Sequence, residues 1–541
     1  METRQLLLFI IFSFSLIVLW GEWNNQNQSV EKVSTEGGHS SIPKPASRPT
    51  IVAQAQVKSV AEVLGEKIRV TTDTLEVEIN TAGGNLQHTS LLNHREADDK
   101  TKPIVILQQQ ASRTYLAQSG LLGSGLPDHT TNFRASQHEY RLGVGVDEIK
   151  VVLTPVDEKN IHVRKIYTFH RGSYLIDVSY EIENTGNVQL TPSAYFQFVR
   201  DSGAPEGGSA LIPTYTGPAF YTDADKFKKV EFPSIEKDKP SLPAPANNGW
   251  VGMLQHYFVA AWIPQEGAQR EFYARKLDGE LFSAGVVMSA PDINPSESAT
   301  ISTKLYVGPA RSKLDEVAPG LGLTVDYGIF TIFASPLFWL MSFLNNWVGN
   351  WGFSIILLTV LIKLAFFPLS ATSYRSMAKM RVVAPKLERI KKQYADDRER
   401  LNKAMMELYK TEKINPLGGC LPVLIQIPVF IGLYWAILES VELRHAPFVG
   451  WIVDLSVSDP YYVLPIIMGI SMLIQTRLNP VPADPLQAKI MKIMPIAFSV
   501  IFFFFPAGLV LYSIVNNILS ISQQWYITHG ALAAQKGVDK S

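Results

Sequence analysis

From about residue 57 the chain alternates apolar and polar positions with a period of two. In TLEVEIN, Leu75, Val77 and Ile79 alternate with Glu76, Glu78 and Asn80, and Gly83-Gly84 then supplies a turn. Such a period puts one set of side chains on each face of a strand. SYLIDVSYEIENTGN repeats the device: Asp177, Ser179, Glu181 and Glu183 interrupt β-branched and aromatic residues, and a turn follows at Asn184 to Asn187. With further runs at KIRVTT, KIYTFH and TKLYVG, the pattern predicts a β-sandwich domain over 57–320. Beyond it the period changes. Leu337, Leu340, Leu344 and Trp347 fall on one helical face, which predicts an amphipathic helix over 335–350 lying in a bilayer surface, with Ser335 as N-cap and Pro336 first in the helix.

Long apolar runs follow at 351–370, 417–438 and 461–476, and residues 493–528 carry no charge at all. At roughly 20 residues per crossing, this last run suits two short spans, 493–505 and 508–528, turning at Pro506 to Gly508. Between the first two runs, Leu387, Ile390 and Tyr394 recur at helical spacing, and Leu401, Met405 and Leu408 do so after ADD at 395–397. That segment, 371–416, is expected to be an antiparallel helical hairpin.

Charge separates the chain into two solvents. None of the residues between Asp326 and Lys363 is charged, and after Lys492 only Lys536, Asp539 and Lys540 are. At the start, Arg4 precedes an uncharged run to Gly21 flanked by Trp20 and Trp23, without a small-residue cleavage pattern. Residues 1–21 are therefore expected to be an uncleaved anchor, and the polar, Pro/Gly/Ser-rich stretch 22–56 a flexible linker. Residues 371–416 hold twelve Lys/Arg against six Asp/Glu, whereas 439–460 hold one Arg against four acids. The positive-inside rule puts the former in the cytoplasm and the latter outside. The expected fold is a membrane protein of six transmembrane α-helices, a five-helix core plus the N-terminal anchor. Both termini, including the tail 529–541, are cytoplasmic and the β-sandwich is extracytoplasmic. The basic hairpin's charge suits topology alone or contact with an RNA-bearing or acidic-lipid partner.

Catalytic signatures are missing: there is no HExxH, no GxSxG and no Gly-rich phosphate loop. His162 and His170 suit surface positions on strands better than metal ligation. The single cysteine, Cys420, excludes an intrachain disulfide. No enzyme activity, cofactor, metal or small-molecule substrate is expected. What stands out is Lys363, set in LLTVLIKLAFFPL, because a lysine deep in a bilayer costs about 2.5–3.5 kcal/mol on insertion scales. Snorkelling to the headgroups is one explanation; a water-filled concavity in the cytoplasmic leaflet is the other. Thr359 lies one turn earlier on the same face, Gln426 and Gln475 sit in later runs, and Ser513, Asn516, Ser520 and Gln523 form a stripe. These polar residues suit interhelical hydrogen bonding. No span offers Lys363 an acidic partner, so its partner is expected to be water or an arriving group. A solute transporter or channel, and a structural scaffold, are the rival classes. Neither internal repeats nor a midplane acid–base pair supports transport.

The stretch from SMAKMRVVAPKLERIKKQYADDRERL to NPLGGCLPVLIQIPVFIGLYWAI, with DPYYVLPIIMG and FPAGLVLYSIVNN, closely resembles the YidC family of bacterial membrane protein insertases. The resemblance covers the whole length, including the anchor and large periplasmic domain of Gram-negative members. It implies an inner-membrane protein that inserts and folds nascent membrane proteins, alone or beside the Sec translocon, contacting lipid and, through its cytoplasmic loops, the ribosome and the signal recognition particle receptor. It also implies a groove open to cytoplasm and lipid. The family usually carries an arginine there, and this chain has Lys363, which keeps the charge but loses the planar fork. The groove and substrate contacts expected from resemblance and residues together are Lys363, Thr359, Gln426, Tyr512 and Ser513, with Phe430, Tyr434, Phe502 and Phe505 as an apolar slide. An aromatic pair common in the last span is reduced here to Tyr512 followed by Ser513.

Overall fold

The computed structural model describes residues 65–96, 99–110, 112–157, 160–203, 214–394, 397–412, 421–479 and 485–538. The expected anchor 1–21 and linker 22–56 lie outside the described residues, as do Cys420 and the start of the third expected span. The chain divides into two compact units, Met1–Thr324 and Val325–Ser541.

The first unit contains two antiparallel-rich sheets, each of nine strands among the described residues. Period-two sequence becomes period-two burial. In Leu75–Asn80, Leu75, Val77 and Ile79 are buried and the polar positions between them half-buried. In Leu175–Asn184, Ile176, Val178, Tyr180 and Ile182 point inward. That strand pairs with Ile161–His170 on one side and Ser298–Pro309 on the other. In the other sheet, Ser193–Asp201 lies between Arg113–Leu122 and Leu281–Ser289. The core between the sheets is aromatic: Phe196 and Phe198 flank Trp262 at 5.3 and 6.1 Å, and Trp250 and Trp262 are fully buried. A short helix, α1 (Phe232–Glu236), packs Phe232 against Phe282 at 4.9 Å. His162 is exposed, and His170 meets Asp177 at 2.7 Å on a half-exposed surface.

The second unit is helical: α2 (Thr331–Val348), α3 (Trp351–Ala365), α4 (Phe367–Gln393), α5 (Arg398–Thr411), α6 (Leu421–Glu439), α7 (Val463–Leu478), α8 (Pro485–Phe502) and α9 (Ala507–Val538). Several boundaries differ from the sequence expectation. Helix α2 begins at Thr331, so Ser335 is not its N-cap and Pro336 sits inside it. The helix grows directly out of a 3-10 turn, Gly328–Phe330, and the Thr331 hydroxyl bonds Gly328 O at 2.7 Å, which starts the coil one turn early. It stops at Gly349, whose φ of 68° is a left-handed conformation that glycine adopts without strain. Asn350 then caps α3 by accepting from Phe353 N at 3.2 Å.

The expected span 351–370 breaks at Phe366, and α3 and α4 meet at 67°. The cause is Pro368, which has no N–H and crowds the preceding turn while fitting the first turn of the next helix. Helix α8 starts at Pro485 rather than 493, taking Lys489 and Lys492 into the helix, and ends at Phe502 because the chain turns through 503–505 ahead of Pro506. Helix α9 continues to Val538, so most of the expected tail 529–541 is helical. Among the described residues no single helix is long and apolar enough to cross a membrane, whereas the bent α3–α4 pair qualifies together; Gln426–Glu439, Val463–Leu478 and Ile493–Phe502 are shorter apolar helices. Asp397 caps α5 by accepting from Glu399 N and Arg400 N at 3.1 and 3.0 Å. Lys386 of α4 meets Glu412, just past α5, at 2.7 Å where α5 runs back along α4.

Where α2 and α6 cross, a Cβ on Gly432 would lie 2.8 Å from Phe333 Cβ, so glycine permits the close approach. The segment between α6 and α7 is built on buried carboxylates. Asp459, fully buried, accepts from Trp451 Nε1 at 2.9 Å, Tyr461 N at 3.0 Å and Leu464 N at 2.8 Å, which terminates the loop and starts α7. The loop docks on the start of α9 through Ala507 N to Val457 O at 2.7 Å and Gly508 N to Leu455 O at 3.0 Å.

Candidate functional site

The last turn of α3 carries Lys363 just ahead of the bend. The side chain is buried at 8% exposure, and its Nζ donates to Ser520 Oγ of α9 at 2.7 Å. Sequence reasoning expected water or an incoming group as the partner of this lysine; the structure supplies an internal hydroxyl instead. The reason is α9's stripe. Ser520 faces α3, and its own proton goes back to Asn516 O at 2.7 Å, which turns a lone pair toward the ammonium. No carboxylate pairs with Lys363 among the described residues.

Thr359 is 1% exposed and bonds Ile355 O at 2.6 Å, so its hydroxyl is spent within its own helix. Gln426 Nε2 of α6 donates to Asn516 Oδ1. Ser513 bonds Leu509 O at 2.9 Å. Farther along, Asn517 Nδ2 reaches Ser471 Oγ of α7 at 3.0 Å, and Gln524 Nε2 reaches Leu478 O and Asn479 Oδ1 at 3.0 and 3.1 Å. Polar residues of α9, within the stripe and beside it, thus bond three other helices. Spacing had revealed the stripe but not the partner of each residue, because Lys363 and Ser520 are separated by 157 positions.

The five expected aromatics come together. Phe430 lies 6.3 Å from Phe502 and 6.2 Å from Tyr512, and Phe505 lies 5.6 Å from Tyr434 and 5.1 Å from Phe502. Phe502 and Tyr512 are buried, whereas Phe430, Tyr434 and Phe505 are half-buried. These rings join α6, the turn after α8, and α9 into one apolar layer. Centroid separations of this size with tilted planes are the favoured geometry for aromatic pairs. At the far end of α7, Arg381 of α4 donates to Leu478 O, fastening the helix beyond the bend to the bundle. No group of residues suited to a metal occurs among the described residues.

The β unit holds a second buried lysine that sequence reading passed over. Lys165 is fully buried between the sheets and donates to Gly83 O at 3.2 Å and Ser119 O at 3.3 Å. The rings of Phe133, Tyr167 and Tyr180 lie 5.9, 5.4 and 5.5 Å from its ammonium. Burial pushes its amine down to about 7. His129, held by the Tyr195 hydroxyl, is pushed down to about 4, chiefly by burial.

Two family models match the two units: "YidC periplasmic domain" over residues 67–340 and "60Kd inner membrane protein" over residues 343–534. They define the class as an inner-membrane protein with a helical membrane part and a β-rich periplasmic domain. Membrane protein insertase YidC of Nitrosospira multiformis is 50% identical, covering 98% of this chain and 97% of that protein. The protein of the same name from Methylobacillus flagellatus is 52% identical, with 99% of each chain covered. The chain belongs to the YidC family. A crystal structure titled active YidC insertase with its first transmembrane domain resolved aligns at 19% identity and a TM-score of 0.38, covering 87% of this chain and 93% of that one.

Proposed function

We propose that the chain is a membrane protein insertase that inserts and folds nascent integral membrane proteins through a hydrophilic groove open to cytoplasm and lipid. The observation that carries the groove reading is Lys363. An ammonium held inside an apolar helix bundle by one neutral hydroxyl retains two unclaimed N–H groups and an uncompensated charge among the described residues. Such a group attracts a carboxylate strongly because little water competes for it. Gln426 and Ser513, with Thr359 buried behind them, contribute the polar wall, and the half-buried rings of Phe430, Tyr434 and Phe505, backed by the buried Phe502 and Tyr512, the apolar path along which an emerging helix slides. Insertion then needs no nucleotide. The groove shortens the low-dielectric distance that a hydrophilic tail must cross, and burial of the substrate's apolar span in lipid, at about 25 cal/mol per Å², drives release.

In this reading the chain has six spans, with residues 1–21 as anchor, 22–56 as linker and both termini cytoplasmic. The hairpin 371–416 is cytoplasmic, and its positive excess suits contact with the ribosome or the signal recognition particle receptor. Larger substrates are handled beside the Sec translocon. The chain has no enzymatic activity of its own.

The test is protease protection of a small single-span protein added to liposomes containing only the purified chain. Protection should exceed that in protein-free liposomes. With acidic-tailed substrates, Lys363→Arg should remain active, Lys363→Ala should insert less, and Lys363→Glu should be worst because attraction becomes repulsion. Full activity of the alanine variant would refute the role assigned to the lysine, since a merely snorkelling residue is dispensable.

A further inference from the structure

The Lys363 ammonium is not free in the resting chain, and its restraint has a particular chemistry. Ser520 Oγ lies 2.7 Å from Nζ and is itself a donor to Asn516 O at 2.7 Å. The hydroxyl is only 3% exposed and its single proton is committed to the helix backbone, so toward Lys363 it acts as an acceptor. Asn516 is in turn held by Gln426 of α6. Tyr374 of α4 stands beside the same hydroxyl and belongs to a small buried cluster with Ala371 and Ile527. Elements on both sides of the α3–α4 bend, together with α6, therefore fix where Ser520 points.

We propose that Ser520 is a positioning residue for insertion: it parks the Lys363 ammonium by one neutral hydrogen bond and yields it to an incoming carboxylate. This rests on the reading that Lys363 receives acidic tails. The two acceptors differ in charge. A hydroxyl orients the ammonium but does not neutralise it, whereas a carboxylate does both and makes a hydrogen bond about twice as strong. A neutral parking partner is thus displaced by an acidic tail, while a charged internal partner would compete with every tail. An aliphatic residue at 520 would leave the ammonium buried without an acceptor, and the flexible lysine stem would wander. Serine satisfies both demands: it holds the charge in place without cancelling it.

The experiment uses the full chain in liposomes and two versions of one single-span substrate, with acidic and with neutral translocated tails, scored by protease protection. The readout is the ratio of acidic-tail to neutral-tail insertion, which a general folding defect does not move. Ser520→Asp should lower that ratio several-fold, toward the value for Lys363→Ala, because the new carboxylate occupies the ammonium. Ser520→Ala should lower it less, and Ser520→Thr should restore it. If Ser520→Asp does not accumulate, the alanine and threonine variants decide by the same ratio. An unchanged ratio in Ser520→Asp and Ser520→Ala, with Lys363→Ala impaired, overturns the role of Ser520 and leaves the groove reading standing. An unimpaired Lys363→Ala removes the groove reading itself, and this inference with it.

Discussion

Replacing Lys165 by methionine should stabilise the β unit near neutral pH and remove a pH dependence that the parent carries. The parent's amine is fully buried, meets the carbonyls of Gly83 and Ser119 as its hydrogen-bond acceptors among the described residues, and is pushed by burial from 10.5 to about 7. Unfolded, the same lysine keeps its proton up to its ordinary value. Between about pH 7 and 10.5 the unfolded chain therefore binds one more proton than the folded chain, so stability rises with pH, by up to about 1.4 kcal/mol per pH unit. Below about pH 7 both states are protonated and the whole cost of burying the charge is present, on the order of 5 kcal/mol. Cation–π contacts with Phe133, Tyr167 and Tyr180 return part of it. Methionine fills the volume of the lysine stem without the charge. Pulse proteolysis of the full-length chain in detergent micelles across a urea series, at about pH 7, 8 and 9, should find the variant more stable at the lowest pH and the gap closing as pH rises. Parent and variant curves that stay parallel across that range would refute the reasoning, because they would mean that the amine keeps its proton in the folded state.

Reporters fused after Asp397, Asp484 and Lys540 should be cytoplasmic and those at Gly83 and Asp454 extracytoplasmic; a reversed reporter at 454 would sink the six-span arrangement. Removing roughly residues 60–310 should leave insertion largely intact in a membrane-integrated variant, since the first unit carries no reactive motif. Complete loss of protease-protected product would make that unit mechanistic. Asp459→Ala should destabilise the helical unit by about 2–3 kcal/mol, because Trp451 Nε1, Tyr461 N and Leu464 N lose a charged acceptor inside the protein, and a lowered thermal midpoint in detergent would register it. An unchanged midpoint would show that water replaces the carboxylate.

Several features were decided locally and could be read from the sequence. Leu75, Val77 and Ile79 face the core because alternation leaves a strand no other way to bury them. The turn at Pro506 follows from proline chemistry, whereas the 67° bend ahead of Pro368 interrupts what is expected from the sequence to be one span. The stripe Ser513, Asn516 and Ser520 was visible because helical spacing puts positions three and four apart on one face. Where local signals competed, the sequence misled. Ser335-Pro336 is a helix-start pattern, yet the turn at Gly328–Phe330 had already nucleated α2. The uncharged run opens only at Ile493, yet α8 starts at Pro485 and takes in Lys489 and Lys492.

Pairing across the bundle needed the tertiary structure. Nothing in LLTVLIKLAFFPL says that Lys363 meets Ser520, or that Gln426 meets Asn516, because each partner lies on another helix whose rotation is fixed by packing. Nor does alternation distinguish Lys165 from its exposed neighbours Arg164 and His162 by anything but position; it is the inward register of Ile161–His170, set by pairing with Leu175–Asn184, that drives a cation between two sheets. The sequence determined which faces are polar and which apolar, since that follows from local periodicity. Tertiary structure decided which charges are buried and what holds them, since those depend on contacts between segments far apart in the chain.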